Sequence, residues 1–514
     1  MADGGVRSRH RQEHARPGAE NGIDDGVLIR GGRDAHMKKE IVAKATISSG
    51  DLIVPDIPCI IYRPQIPGKK PYIEFRPDQT QYAKLCPLPK GTLSLETADT
   101  GVATSIQADS VWFSEHKPPA WNKGFLEASI LGRPEELIIT KRFLKKTSQR
   151  KTSITCWISP NSMLNPVQSR TISNDGCIEV ENIAICKMTL KNNEPLSFEK
   201  QYDVQEQDGK KTILTSYLVA KTKSTIAAAA VEKIKNDVLS DIEDVLLLAS
   251  LAARTRTACL GWMAIDSKVS VECYWGYLSV PSGKSDYNLD QGLVCEQNFE
   301  SFIVDCYRSF QEYSDQEWLR NAIYPLVSLH KISMEPQFLS LYAGLESILL
   351  HFQRKNKLEC VLSSSKWQVL KKELTKWIHD YTKDPLEKEQ REFMYANLEE
   401  LNHVPIRKVY ERFNNEYSVN CADLWPVFDV CGKVSLSMIR NFLIHGAPLP
   451  GKCHRAFGVA LIHLRWTLER TIISILGWPV EKTEVDAGYL KRNSPMLPIW
   501  VESQATLAPY FKRK

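Results

Sequence analysis

The spacing of apolar and polar residues divides the chain into a β-rich part followed by a helical part. From Lys38 to Lys223, short runs of β-branched and aromatic residues alternate with turn-forming clusters such as Pro67-Gly68 and Asn174-Asp175-Gly176. Short strand-like runs with a turn signal after nearly every one are typical of a β-sandwich or barrel-like domain. We therefore predict a β-rich N-terminal domain over 38–223.

The hydrophobic period becomes helical after residue 224. Apolar residues over 226–260 recur every three or four positions, which predicts a long amphipathic helix. A strand-like, turn-rich stretch follows, so 224–297 is interpreted as a mixed α/β connector. Amphipathic segments then succeed one another at 299–328, 335–356, 365–382, 386–402, 405–415, 433–445 and 453–476.

Short breaks between these segments favour antiparallel neighbouring helices. Residues 298–478 therefore predict an all-α, up-and-down helical bundle, and 479–514 form a C-terminal extension. The predicted fold class is α+β, with the β-rich domain first and the bundle second.

The first 36 residues have a different composition. They contain seven glycines, six arginines and almost no apolar periodicity. Such a segment cannot bury enough surface to offset the entropy lost on ordering, so 1–36 are predicted to be a disordered leader. Met37 precedes the first strand-like run and is an alternative start of translation.

The charge of the chain is close to balanced. It has 66 Lys and Arg against 61 Asp and Glu, a formal net charge of +5. This balance neither indicates nor excludes a nucleic-acid partner. The densest basic cluster, Lys141–Lys151, is either an RNA-contacting hairpin or a solvated loop.

The cysteine pattern and the hydropathy indicate the cellular compartment. The 13 cysteines contain no Cys-x-x-Cys pair, so no structural zinc site is expected, and unpaired thiols fit a reducing compartment. The longest apolar run, Val245–Ala253, is far shorter than the roughly 20 residues that cross a bilayer. These features predict a cytoplasmic protein without a membrane span.

The candidate chemistry lies at one helix end, in the segment Arg440-Asn-Phe-Leu-Ile-His445. Asn441 and His445 are four residues apart, hence on the same face of a helix. Arg440 is offset around the helix and must use its long side chain to reach the same site. Gly446 follows directly and predicts a left-handed helix stop.

These residues resemble the HEPN superfamily of helical-bundle ribonucleases, particularly the bacterial Apea-like branch. The segment Arg440–His445 matches the family's motif of Arg, Asn, and His four to six residues later, without a gap. The stretch Leu339–Phe352 is similar to an earlier bundle helix that carries an Ala-x-Leu-Glu signature. The resemblance covers roughly 320–478, about a third of the chain.

The resemblance implies a metal-independent endoribonuclease that cleaves RNA by 2′-hydroxyl attack, used in bacterial phage defence by abortive infection. Arg440 and His445 would be catalytic, and Asn441 and Glu346 would support them, without a cofactor or a metal. An imidazole can move protons near neutral pH, and a guanidinium can offset negative charge on a phosphoryl group.

The same resemblance implies a site shared by two protomers, so we expect a homodimer through the bundle. The predicted helix 453–476 is a candidate wall of that interface, because its apolar residues run nearly all round it. Burial of this helix within its own chain is the alternative.

A structural interpretation of the same residues stays open. Arg440 and Glu346 would then form an ion pair inside the bundle, and His445 would only cap its helix. The protein would be a non-catalytic regulatory module that binds a nucleotide or a protein. His403, His454 and His463 are interpreted as structural, because no second metal ligand lies three or four residues from any of them.

Overall fold

The chain folds as an α+β protein, with strands in the N-terminal half and helices in the C-terminal half, as predicted. The predicted leader 1–36 and most of the basic cluster Lys141–Lys151 lie outside the residues that the structure describes. This computed structural model describes residues 37–64, 69–99, 102–122, 125–143, 151–164, 168–172, 178–182, 185–207, 210–276, 292–313, 315–328, 333–381, 386–429, 432–446 and 449–511.

The strands are numbered here in chain order. They are β1 (Met37–Ser49), β2 (Leu52–Pro64), β3 (Tyr72–Phe75), β4 (Lys90–Asp99), β5 (Val102–Asn122), β6 (Phe125–Arg133), β7 (Glu136–Phe143), β8 (Thr152–Ile158), β9 (Gln168–Ile172), β10 (Ile178–Asn182), β11 (Ile185–Thr189), β12 (Pro195–Gln207), β13 (Lys210–Ser224), β14 (Cys259–Ile265) and β15 (Val269–Trp275). All of these except the β9–β10 hairpin join one antiparallel sheet, in the order β11-β12-β13-β8-β14-β15-β7-β5-β4-β1-β2-β3-β6.

Six strands of the sheet close on themselves. Strand β6 pairs with β3 and also with β5, so that β5, β4, β1, β2, β3 and β6 form a ring. Alternate residues of each strand point to the same side, and Ile57, Ile61 and Phe75 fill the interior. The short helix α1 (Gln79–Leu85) adds Leu85 to this core, and Asp78 caps its first turn.

The strands of the predicted connector are central to the sheet. Strand β14 pairs with β8, and β15 pairs with β7, so this pair joins the closed ring to the remaining strands. Trp262 of β14 and Val271 of β15 are fully buried. The order of the strands in the sequence did not indicate this central position. Strands β7 and β8 are consecutive in sequence, yet β14 and β15 lie between them in the sheet.

The helix predicted over 226–260 is shorter than expected at both ends. It comprises α2 (Val231–Lys233), a π-helical stretch (Ile234–Leu239) and α3 (Ser240–Ala253). Arg254 ends α3 in the left-handed conformation, with φ of +52°. The chain turns there and enters β14.

The helices of the C-terminal half follow the predicted segments closely, with one break that was not expected. The segment predicted over 299–328 is two helices, because the Asp315 carboxylate accepts the N–H of Glu317 and starts a second one. The helices are α4 (Glu296–Gln311), α5 (Glu317–Ser328), α6 (Met334–Lys355), α7 (Ser364–His379), α8 (Lys388–Asn397), α9 (Ile406–Glu416), α10 (Leu436–Ile444), α11 (His454–Ile475), α12 (Ala487–Asn493) and α13 (Trp500–Leu507).

A buried charge cluster joins α11 to the sheet side of the molecule. Glu469 accepts hydrogen bonds from Arg254 Nε (2.9 Å) and Nη2 (2.7 Å) and from Arg465 Nε (3.1 Å). Arg465 also donates to the carbonyl of Leu326 in α5, at 2.8 Å. Burial acts to raise the pKa of Glu469, but the two guanidinium groups outweigh it and hold that pKa below its ordinary value.

A second buried polar group of α11 is His463. Its Nδ1 accepts the N–H of Trp425 (3.1 Å), and its Nε2 lies 3.2 Å from the carbonyl oxygen of Met496. This pairing requires a neutral ring that carries its proton on Nε2. Burial lowers the pKa of His463 to about 4, so the ring holds two segments against α11 in its neutral form.

We predict that Glu469→Ala strongly destabilises the protein, because it leaves two buried guanidinium groups without their counter-charge. The expected loss is about 3–5 kcal/mol in the free energy of unfolding, measured by urea denaturation of the full chain. Glu481→Ala, at an exposed position of the same half, serves as the control and should leave the transition unchanged. A loss below about 1 kcal/mol for Glu469→Ala would show that the cluster is not a major support of the fold.

We also predict that stability falls as the pH drops from about 6.5 to 4. In this window the unfolded chain protonates His463 and the folded chain does not, so acid favours the unfolded state. Protonation of His463 lowers the free energy of unfolding by about 3 kcal/mol at most, because each unit of difference between the folded and unfolded pKa corresponds to about 1.36 kcal/mol. His463→Gln should flatten this part of a stability-against-pH curve, whereas His403→Gln, at an exposed position, should not.

Candidate functional site

Helix α10 is fixed at its first turn and ends where the sequence predicted. Ser435 accepts the N–H of Met438 and so caps the helix. The N–H groups of Leu436 and Ser437 donate to the carbonyls of Pro426 and Val427, which attach this end to the preceding segment. At the other end, the His445 N–H donates to the Asn441 carbonyl.

The left-handed stop that the sequence predicted is present after His445. Gly446 has φ of +72° and donates its N–H to the Leu443 carbonyl. His445 is therefore the last residue before the chain leaves the helix, and its side chain is directed away from the buried face formed by Leu436 and Ile439.

The Arg440 guanidinium has contacts with three neighbours. Its Nη2 lies 3.1 Å from each carboxylate oxygen of Glu346, and its Nη1 donates to Asn441 Oδ1 at 3.1 Å. The guanidinium carbon lies 5.8 Å from the centre of the Tyr342 ring. About a third of the Arg440 side chain stays in solvent, so one side of this held cation is accessible.

Tyr342 forms the buried base of this arrangement. It lies one turn before Glu346 on α6, and its side chain is almost fully buried. Burial and the neighbouring Glu346 carboxylate raise the pKa of the Tyr342 phenol, while Arg440 opposes this shift, so the phenol stays protonated. The four-residue spacing from Glu346 is the sequence signal for this contact, and Tyr342 lies in the stretch Leu339–Phe352 singled out from the sequence.

The structure thus brings together three of the four predicted site residues. Arg440 contacts both Asn441 and Glu346, whereas the His445 ring is exposed at the end of the helix. Among the described residues, that ring forms no hydrogen bond or ion pair. Asn441 contacts the guanidinium and does not orient the imidazole.

The structure favours the alternative for α11, which is burial within its own chain. The helix packs against α5, α6 and α13, and only its first turn, with His454 and Arg455, is exposed. A helix that is apolar all round must be buried, but its sequence does not say by which chain. Its buried apolar side chains include Phe457, Val459, Leu461, Leu464, Trp466, Leu468, Ile472, Ile473 and Ile475.

Other groups that could support chemistry lie apart from the end of α10. Within the described ranges, no three His, Cys, Asp or Glu side chains are grouped so that they could hold a metal ion. His403 lies on the surface 3.3 Å from Glu400, and His454 is exposed at the start of α11. Across the described helices, none has the length and apolar character needed to cross a membrane.

The arrangement at the end of α10 combines a cation in a fixed position with an accessible imidazole. A cation of this kind can bind a phosphate oxygen, and an imidazole can accept or donate a proton. Comparisons of the chain with protein-family models, with curated proteins and with solved structures found no match.

Proposed function

We propose that the protein is a metal-independent endoribonuclease of the HEPN type, with its site at the end of α10. The observation that carries this proposal is the partly exposed Arg440, held by Glu346, Asn441 and Tyr342 on the helix that ends at His445. Glu346 and Asn441 engage only part of the five-donor guanidinium, so further N–H groups are available to an anion.

The proposed reaction needs only proton transfer and charge stabilisation. The ribose 2′-oxygen attacks the adjacent phosphorus, the bond from phosphorus to the 5′-oxygen breaks, and the products are a 2′,3′-cyclic phosphate and a 5′-hydroxyl. One proton leaves the 2′-hydroxyl and one reaches the 5′-oxygen, and the His445 imidazole is suited to one of these transfers. Arg440 would offset the charge that develops on the non-bridging oxygens.

A homodimer is part of the proposal. Each chain supplies one imidazole, whereas both the attacking and the leaving oxygen need a proton carrier. A two-fold interface doubles every group near its axis. Two exposed apolar side chains support such an interface here, since Leu350 lies one turn beyond Glu346 on α6 and Ile444 directly precedes His445.

The setting that we propose is the bacterial cytoplasm, in phage defence by abortive infection. The β-rich domain would sense the trigger or restrain the helical half, and the helical half would cut RNA. The defence role rests on the resemblance of the motif to the HEPN superfamily. The cytoplasm is supported by the cysteines, all of which are free among the described residues.

A non-catalytic regulatory module is the second candidate function. The specific observation in its favour is that Arg440 already has a carboxylate partner without any substrate. An ion pair of this kind, with His445 as a helix cap, would be sufficient to explain the same residues. Activity measurements separate the two candidates.

We predict that the purified full-length protein cleaves RNA in the presence of EDTA and leaves 2′,3′-cyclic phosphate ends. Arg440→Ala and His445→Ala should each lower the cleavage rate by about 10²-fold or more. Both residues are partly exposed, so each variant should stay within about 1 kcal/mol of the wild-type free energy of unfolding. The rate is read from labelled RNA on gels, and the ends by ligation-based sequencing.

Matched controls are present in the chain. His116→Ala removes an exposed histidine of β5, and Arg308→Ala removes an exposed arginine of α4, and neither should change the rate. Glu346→Gln keeps the side-chain shape but removes the charge that holds Arg440, so a smaller loss is expected. Equal activity in the wild type and His445→Ala would refute the nuclease proposal.

The shared site predicts that activity depends on assembly. Specific activity should fall on dilution, over the same concentration range in which light scattering shows the dimer separating into monomers. Full specific activity in a sample that is monomeric by mass would rule out a site that needs two protomers, while leaving the nuclease proposal intact.

A further inference from the structure

A cavity of about 140 Å³ lies where the sheet meets the helical half, and we call it the junction cavity. Its walls come from α3, from the segment that leads into β14, from the end of β15 and from α5. Among the described residues that line it, none belongs to the site at the end of α10. The junction cavity is therefore a separate place at which a small molecule could bind.

Helix α3 carries two adjacent acidic residues, of which only one has a partner. Asp244 accepts hydrogen bonds from Arg320 Nε (2.8 Å) and Nη2 (2.9 Å). Glu243 lines the junction cavity and, within the described ranges, forms no hydrogen bond or ion pair. Partial burial and the charge of Asp244 raise the pKa of Glu243, and the opposing charges of Arg320 and Arg256 do not cancel this shift. The Glu243 carboxylate would thus gain from a further cation.

The positive charge of the junction cavity is held on a fixed segment. After Arg256, the N–H of Thr257 donates to Ser250 Oγ at 2.8 Å, and the N–H of Ala258 donates to Ser159 Oγ at 2.9 Å. Arg256 is only partly exposed, and its guanidinium has no hydrogen bond or ion pair with any described residue. A guanidinium has five N–H donors, and withdrawing them from water without a partner is costly. The junction cavity therefore offers a cation that lacks its anion.

The two unpaired charges select the kind of ligand. Glu243 and Arg256 line the same cavity and act on each other electrostatically, yet they do not form an ion pair. A simple anion would be attracted by Arg256 and repelled by Glu243, and a simple cation would meet the reverse. Only a molecule that carries both charges satisfies both groups, so the ligand is a zwitterion.

The size and the remaining lining narrow the choice further. A volume of about 140 Å³ holds roughly ten water molecules at ~10–15 Å³ each. Pockets for drug-sized ligands are larger, at about 300–1,000 Å³, so a nucleotide does not fit. Leu247, Val327 and Trp275 also line the cavity and give it apolar surface. A free α-amino acid with an apolar side chain has this combination of charge, size and apolar surface.

We propose that the junction cavity binds a free α-amino acid with an apolar side chain. Its carboxylate contacts the Arg256 guanidinium, and its ammonium group contacts the Glu243 carboxylate. Tyr324, which is 43% exposed on α5, also lines the cavity and has no hydrogen bond from its hydroxyl to any described residue. That hydroxyl is available to the ligand as donor or acceptor. The inference does not depend on the proposed nuclease function.

The first test is isothermal titration calorimetry of the dialysed full chain with each standard amino acid. The titration extends to about 10 mM, which detects a Kd on the order of 1 mM. At least one of leucine, valine and methionine should bind at one site per chain. N-acetyl-leucine lacks the ammonium group and leucinamide lacks the carboxylate, so each should bind about 10-fold to 100-fold more weakly than leucine.

The second test removes each charge of the junction cavity in turn. Arg256→Gln and Glu243→Gln should each weaken binding about 10-fold or more, because each leaves one charge of the ligand without its partner. Arg256→Lys keeps the positive charge and should bind more tightly than Arg256→Gln. Arg308→Gln and Glu312→Gln remove the same charges at exposed positions of the helical half and should bind as the wild type does. Circular dichroism spectra check that all variants are folded.

Three results would overturn the inference. They are the absence of binding by every standard amino acid, equal binding of leucine and N-acetyl-leucine, and wild-type affinity in both Arg256→Gln and Glu243→Gln. Binding that needs both charges of the ligand and both side chains supports it. Cleavage of RNA enters none of these measurements, so the junction cavity and the nuclease proposal stand or fall separately.

Discussion

The contact of Glu469 with Arg254 and Arg465 is the constraint on which the arrangement of the molecule depends. A buried carboxylate is tolerated only with its counter-charges in place. Arg254 closes α3 at the entrance to β14, so α11 can occupy only the position at which its glutamate meets that residue. This contact thereby fixes the position of the helical half against the sheet.

The candidate site follows from the position of α11. Helix α6 lies against α5 and α11 at Gly344, where an added Cβ would come within 3.3 Å of Ala322 and of Leu468. This close approach fixes the turn of α6 from which Tyr342 and Glu346 contact Arg440. Arg440 then finds an aromatic ring and a carboxylate already in place, and little of its side-chain freedom would remain to be lost in the proposed binding of an anion.

Local features were accessible from the sequence, and long-range partners were not. The end of α10 could be predicted because Gly446 and the apolar spacing are local signals, and Glu346 was named because its stretch Leu339–Phe352 resembles a helix of the HEPN bundle. The pairing of Arg254 with Glu469 spans 215 positions and has no local signature. For the same reason the central position of β14 and β15 was missed, and the sequence could not decide whether α11 is covered by a partner or by its own chain.

The position of β14 and β15 has a consequence for synthesis on the ribosome. Strands β7 and β8 emerge early, but the strands that pair with one edge of each come from residues about a hundred positions later. Until residue 275 has left the exit tunnel, both strands present unpaired backbone edges, the usual starting point for aggregation. The sheet therefore cannot be completed before β14 and β15 are available, and the edges of β7 and β8 stay unpaired during that part of synthesis.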